Sequence, residues 1–192
     1  MLWKFVGQAN VAFTIGDVWR RHSRIVIKAL SGSPPFADFS FMAHKLFTVL
    51  GGGTKTVKWD ELSQNVTLDI LGRTVLGHDF EAIENPDSPF AKGYRQVMHA
   101  LTESPYVFLP FLDKYFPRRD VEREAQNLRK IFGQIIEYKR THLADDLISH
   151  MIANPEFSDS ELLDNVVVLF VAGHVSYFMQ SAGHDFTHGR LA

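Results

Sequence analysis

Leu169 to His184, LFVAGHVSYFMQSAGH, begins as one kind of sequence and finishes as another. Just upstream and into it, Leu162, Leu163, Val166, Val167, Val168, Leu169, Phe170 and Val171 leave a helix no polar face. Such a segment reads as a helix buried on all sides, running through the middle of a larger structure. At Ala172-Gly173 the pattern is lost. A pair of small residues there fits close packing between helices, and it equally fits the approach of something flat or bulky.

Working outward, helical periodicity fills almost the whole chain and sustained alternation is scarce, so the fold class is all-α. A first helix is expected from about Asp17 to Leu30, opened by a capping box of Thr14 with Asp17 and stopped at Ser31-Gly32-Ser33-Pro34-Pro35. A second covers about Ala37 to Leu50 and ends at Gly51-Gly52-Gly53. The third, about Trp59 to Leu76, carries Leu62, Val66, Ile70 and Leu71 at three- and four-residue steps. A loop through Asn85-Pro86-Asp87 leads to a fourth, about Pro89 to Thr102. The longest amphipathic stretch runs from about Asp120 to His142, with Leu128, Ile131, Phe132, Ile135 and Ile136 inward. A short helix around Asp145 to Ile152 precedes the last, from Ser158. No repeat or low-complexity segment interrupts this order.

Composition narrows the function classes. The 192 residues are 45% hydrophobic and 22% charged, ordinary values for one domain with a core, and 20 Lys+Arg against 22 Asp+Glu leave a formal charge of -2. No global field draws the chain to nucleic acid or to an anionic membrane. Cysteine is absent, which removes disulfides, thiolate metal ligands and a nucleophilic thiol together. The opening MLWKFVGQANVAF is too short and too weakly charged for a secretory signal, and no run approaches the roughly 20 apolar residues of a membrane span.

The second informative stretch is Gly16 to Arg24, GDVWRRHSR. Trp19 and His22 stand at i and i+3 with Ser23 at i+4, while Arg20, Arg21 and Arg24 add positive charge. Such a face can hold an anion against an aromatic ring, or it can be a half-buried helix with a solvated basic side.

Taken in order, these stretches resemble the cytochrome P-450 family of heme-thiolate monooxygenases. Gly16 to Arg24 is similar to the family's C-helix, a tryptophan followed by basic residues that contacts the heme propionates. Leu71 to Phe80, LGRTVLGHDF, is similar to its E-helix and following turn. Asp145 to Gly173 resembles the approach to the long I-helix, where the family writes Ala/Gly-Gly-x-Asp/Glu-Thr-Thr. The resemblance implies a partial cytochrome P-450 fold, helices C to I, over residues 1–174. It also implies heme as cofactor, a hydrophobic small-molecule substrate, a redox partner in the form of an NADPH-dependent reductase, and an endoplasmic-reticulum membrane location for the complete family member. Trp19, His22 and Arg24 would face the heme propionates, Ala172 and Gly173 would line the distal oxygen groove, and the helices over Ser88 to Thr102 and Tyr106 to Phe116 would cap the substrate pocket.

Departures accompany the resemblance. Ser23 stands where the C-helix usually has arginine, and Val175 stands where the I-helix acid belongs. Ser176 occupies the threonine position and is the one catalytic candidate, a hydroxyl without the neighbouring carboxylate that helps deliver protons to bound dioxygen. The family's Glu-x-x-Arg helix and its iron-ligating cysteine are not in this sequence, so the chain is expected to be inactive by itself. Residues 175–192 diverge. Val175-Ser176 is what an in-frame GTAAGT would encode, a common start of a splice donor, so this tail is read as retained intron or frame-shifted sequence.

Two readings from other classes stand beside this one. His184-Asp185-Phe186-Thr187-His188 puts two imidazoles at i and i+4, a metal-binding spacing to which His174 could add a third ligand. Alternatively, the chain is a non-catalytic helical interaction protein whose basic C-helix face docks an acidic partner. In either case the apolar last helix, lacking cover, would expose valine and leucine to water.

Overall fold

The structure is a computed structural model that describes residues 2–32, 35–51, 58–102, 115 and 118–188, with the backbone alone at 2–3 and 177–188. All regular structure among these residues is helical: α1 (Leu2–Val6), α2 (Gly16–Leu30), α3 (Phe36–Leu50), α4 (Trp59–Leu76), α5 (Pro89–Thr102), α6 (Arg119–Thr141), α7 (Leu147–Ile152) and α8 (Asp159–His188). The middle helices start and stop where periodicity and breakers place them. In α4, Asp60 and Glu61 favour the positive N-terminal end, and Gly77 closes the helix in a left-handed conformation (φ 57°), its N–H donating to the Arg73 carbonyl at 3.0 Å.

The helix expected to be buried is the axis of the fold. Helices α1, α4, α6 and α7 all pack on α8, with α3 outside α4, α5 outside α6, and α2 joined to the rest through α7. Val166, Val167 and Phe170 of α8 are fully buried and meet Leu68, Tyr94, Leu128 and Phe132 in one continuous core. Aromatic rings cross at its centre, with Phe80 stacked on Phe90 at 3.7 Å and Phe170 edge-on to Phe80, Tyr94 and Phe132. Among the described residues no helix is long and apolar enough to cross a membrane.

Two expectations are corrected. The capping box at Thr14 does not form: Ile15 is the N-cap of α2, the Thr14 hydroxyl donates to the Asn10 carbonyl at 2.8 Å, and Asp17 pairs with Arg20. A box forms instead at Ser158, at the start of α8. Among the described side chains the apolar surface left open is not on α8, whose valines are largely covered, but on α2 and α3, where Ile27, Leu30, Phe36 and Phe47 are each 60% exposed or more. Although the apolar pattern is lost at Ala172-Gly173, α8 runs unbroken through the pair to His188.

A buried ion pair locks three elements together. Lys139 of α6 donates to Asp146 at 2.5 Å, each side chain 6% exposed, while the other Asp146 oxygen accepts the Ser149 N–H at 2.9 Å and caps α7. Gly77 lies over the pair, so near that a Cβ there would sit 2.2 Å from Lys139 Nζ.

Candidate functional site

The two stretches singled out by sequence come together as neighbouring helices, but their side chains divide differently. His22 does not share an open face with Trp19. Its ring is fully buried, edge-on to Phe157, between α2 and the start of α8. Asn165, also fully buried, decides how the ring bonds. Its Oδ1 accepts the Val11 N–H at 2.9 Å and its Nδ2 donates to the Glu161 carbonyl at 2.7 Å, so Nδ2 is also the donor to His22 Nδ1 at 3.2 Å. His22 Nε2 therefore carries the proton and donates to Glu161 Oε1 at 3.2 Å. Both ring nitrogens are spent within the protein.

Glu161 is the hub of this junction. Its Oε1 also takes the Arg21 guanidinium, and its Oε2 accepts the Ser158 N–H at 2.9 Å and the Ser158 hydroxyl at 2.8 Å. The Glu161 N–H donates back to Ser158 Oγ at 3.3 Å, completing a capping box that the spacing Ser158-x-x-Glu161 could have revealed. Burial pushes the Glu161 carboxyl up, but the bonds from Ser158 and His22 and the charge of Arg21 outweigh it and hold the carboxyl at about 2. This contribution to stability is full above the ordinary carboxylate range, near 4.5, and is lost only as pH falls through about 2. Glu161→Gln should therefore lower stability at pH 7 by about 2 kcal/mol, read from the urea midpoint; an unchanged midpoint would show that the junction is decorative.

Arg24 points elsewhere as well. It lies roughly 140° round the helix from Trp19 and pairs with Glu156 at 2.5 Å, while Arg20 pairs with Asp17. Each of the three arginines expected to make a basic docking face thus has an acidic partner inside the chain. Ser23, in the arginine position, is 8% exposed with its hydroxyl buried and unpartnered. Of the proposed propionate group, Trp19 (47% exposed) and Arg24 present surface, and His22 does not.

On α8 the division is sharper. Ala172 and Ser176, one turn apart, are exposed, whereas His174 is buried and Gly173 is partly covered. Gly173 does not line an open groove with Ala172. A Cβ on it would come within 2.8 Å of a Leu71 methyl, so its smallness serves the close approach of α4 to α8. The Ser176 hydroxyl donates to the Ala172 carbonyl at 2.8 Å. His174 packs edge-on against Tyr94, and burial lowers its pKa to about 4. Among the described residues no cluster could hold a metal ion; the side chains of His184 and His188 lie outside them, as do residues 106–114 of the expected pocket cap. A cleft of about 600 Å³ between the end of α2 and the loop before α8 includes none of the predicted site residues.

As a seat for heme these residues are incomplete. Trp19, Arg24, Ala172 and Ser176 offer open surface, but His22 and Gly173 are committed to protein partners, and no residue of the sequence can supply an axial thiolate. The donor set does not fit a complete heme site.

Comparison with known proteins agrees with the architecture. The chain is 27% identical over 181 residues to Cytochrome P450-DIT2 of Saccharomyces cerevisiae, covering 86% of this chain and 36% of that protein. It is 30% identical over 140 residues to the bifunctional cytochrome P450/NADPH--P450 reductase ALT2 of Alternaria alternata, covering 65% of this chain and 12% of that one. Its fold matches retinoic acid bound cyanobacterial CYP120A1 with a TM-score of 0.71 at 18% identity, over 97% of this chain and 43% of that one. The chain thus spans about a third or less of the length of these curated relatives. With the Cytochrome P450 family model matching residues 4–177, the chain belongs to the cytochrome P450 family.

Proposed function

We propose that this chain is the oxygen-groove portion of a heme-dependent monooxygenase, a scaffold that contributes one wall of the cofactor site and none of its axial ligation. One observation carries the reading: the face of α8 left open by packing bears Ala172 and Ser176, which the family resemblance assigns to the groove, while Gly173 and His174 on the same turn are taken up by α4 and α5. Heme, when bound in a complete protein, would supply the oxygen-activating chemistry. This chain's part is then to shape the wall through Ala172 and to keep the Ser176 hydroxyl turned toward the Ala172 carbonyl. In the complete protein the substrate is a hydrophobic organic molecule, the electrons come from an NADPH-dependent reductase and the location is the endoplasmic-reticulum membrane. The fusion of a P450 to such a reductase in ALT2 supports the partner. The open apolar face of α2 and α3 supports a chain completed by further packing.

A heme titration tests this. The purified chain should take up heme weakly, without a thiolate-type Soret band in the reduced carbon monoxide difference spectrum, and Ala172→Phe should abolish that uptake by filling the wall. A thiolate-type band, or uptake indifferent to Ala172→Phe, would overturn the reading.

A further inference from the structure

Where α5 meets α8, two buried polar atoms have no partner: the Tyr94 hydroxyl and His174 Nδ1. Tyr94 is fully buried and His174 is 5% exposed. Their rings touch edge-on, centroids 5.1 Å apart at 82°, and Tyr94 is also edge-on to Phe170, one turn earlier on α8, at 5.5 Å. The Tyr94 ring therefore touches both Phe170 and His174, one turn apart on α8. Its other ring neighbour is Phe90, and burial alone accounts for the raised Tyr94 and lowered His174 pKa values. No charged group answers either atom.

Two unsatisfied polar groups on touching side chains are costly in an apolar core, and their chemistries complement one another. A phenol both donates and accepts; Nδ1 accepts when Nε2 carries the proton. We propose that Tyr94 Oη and His174 Nδ1 together hold one buried water, closing a hydrogen-bonded link between α5 and the Ala172–Ser176 turn of α8. The water donates to Nδ1, accepts from the phenol, and has one further proton free for a backbone carbonyl. His174 is then a positioning residue. It shares its turn with Ala172 and Ser176, and the link resists rotation of that turn about the helix axis. The proposal concerns the protein without cofactor and stands whether or not heme binds.

Urea unfolding of Tyr94→Phe, His174→Phe and the double variant, with ¹⁵N NMR of the labelled imidazole, tests it. Tyr94→Phe is conservative enough to fold. It should raise the unfolding constant about fivefold, and the double variant should raise it by less than the product of the two singles. The His174 Nδ1 resonance should have the position of a hydrogen-bonded acceptor and move in Tyr94→Phe. If Tyr94→Phe is neutral or stabilising, as removal of a dry, unsatisfied hydroxyl would be, the water is not there. Additive singles, or an Nδ1 resonance blind to Tyr94→Phe, would equally overturn the link.

Discussion

Asp146→Asn should cost the fold about 4 kcal/mol, although it changes a single atom type and leaves the shape of the side chain intact. The amide keeps an oxygen for the Ser149 N–H, so the cap on α7 survives. What is lost is the charge facing Lys139 Nζ at 2.5 Å, in a site where both side chains are 6% exposed and Gly77 closes the lid. An ammonium left there loses the carboxylate bonded to it. The companion prediction separates this from ordinary packing damage: Lys139→Met in the Asp146→Asn background should recover stability to within about 1 kcal/mol of the original, because the pair is worth little against an apolar replacement once both charges are gone. Urea midpoints of the three proteins decide it. Equal losses in the single and double variants would mean that the pair is not the cause.

That junction shows why some of the molecule was readable and some was not. Helices α4 and α5 were legible to the residue because their signals are local: acids at the first turn, a glycine past the last and a stripe at three- and four-residue steps in α4, and a proline-containing loop before α5. Burial of α8 was legible for the same reason, since eight apolar residues around a helix admit no solvent face. Lys139 and Asp146 could not be found this way. Lys139 sits in an amphipathic helix among other charged residues, and only the third element, Gly77, turns its position into an interior one.

Stability should also fall by about 3 kcal/mol between pH 6.5 and about 4 on account of His174 alone. In the unfolded chain the imidazole gains a proton near its ordinary value, 6.5; in the folded chain burial delays this to about 4. Across that window the unfolded state binds more protons, so stability rises with pH and is lost as pH falls. The check is a pair of pH profiles of the urea midpoint, one for the original and one for His174→Phe, normalised at about pH 7.5, above both values. The variant's profile should be flatter. His78, lowered in the same direction by partial burial, is common to both proteins and cancels in the difference. Superimposable profiles would place the His174 ring in bulk solvent rather than in the interior.

For the candidate residues the sequence showed where to look and not which way each side chain turns. Motif spacing located Trp19 and Ala172 at surfaces left open by packing, and both are exposed in the structure. The same spacing put His22 beside Trp19, because i and i+3 are neighbours on a helix drawn in isolation. An offset of about 60° suffices to turn one side chain to solvent and the other into α8, and nothing short of knowing that Asn165 waits there could settle which. At Gly173 the sequence left helix packing and the approach of a flat group both open, because smallness does not say which neighbour needs the space; in the structure Leu71 takes it.

The contacts that tie the first residues to α8 have a bearing on how the chain is made. Asp164 accepts the Gln8 and Ala9 amides, and Asn165 accepts the Val11 amide, across sequence separations of 156, 155 and 154 residues. Helices α4 to α6 can pair with near neighbours while synthesis continues, and α1 can meet α6 through Lys4 and Glu122, but these three amide bonds wait until α8 leaves the ribosome. At ordinary elongation rates, roughly 5–20 residues per second, that is a wait of about 8 to 30 seconds. For that interval Gln8 to Val11 lack the acceptors that later hold them, and a chaperone or a protease can reach them.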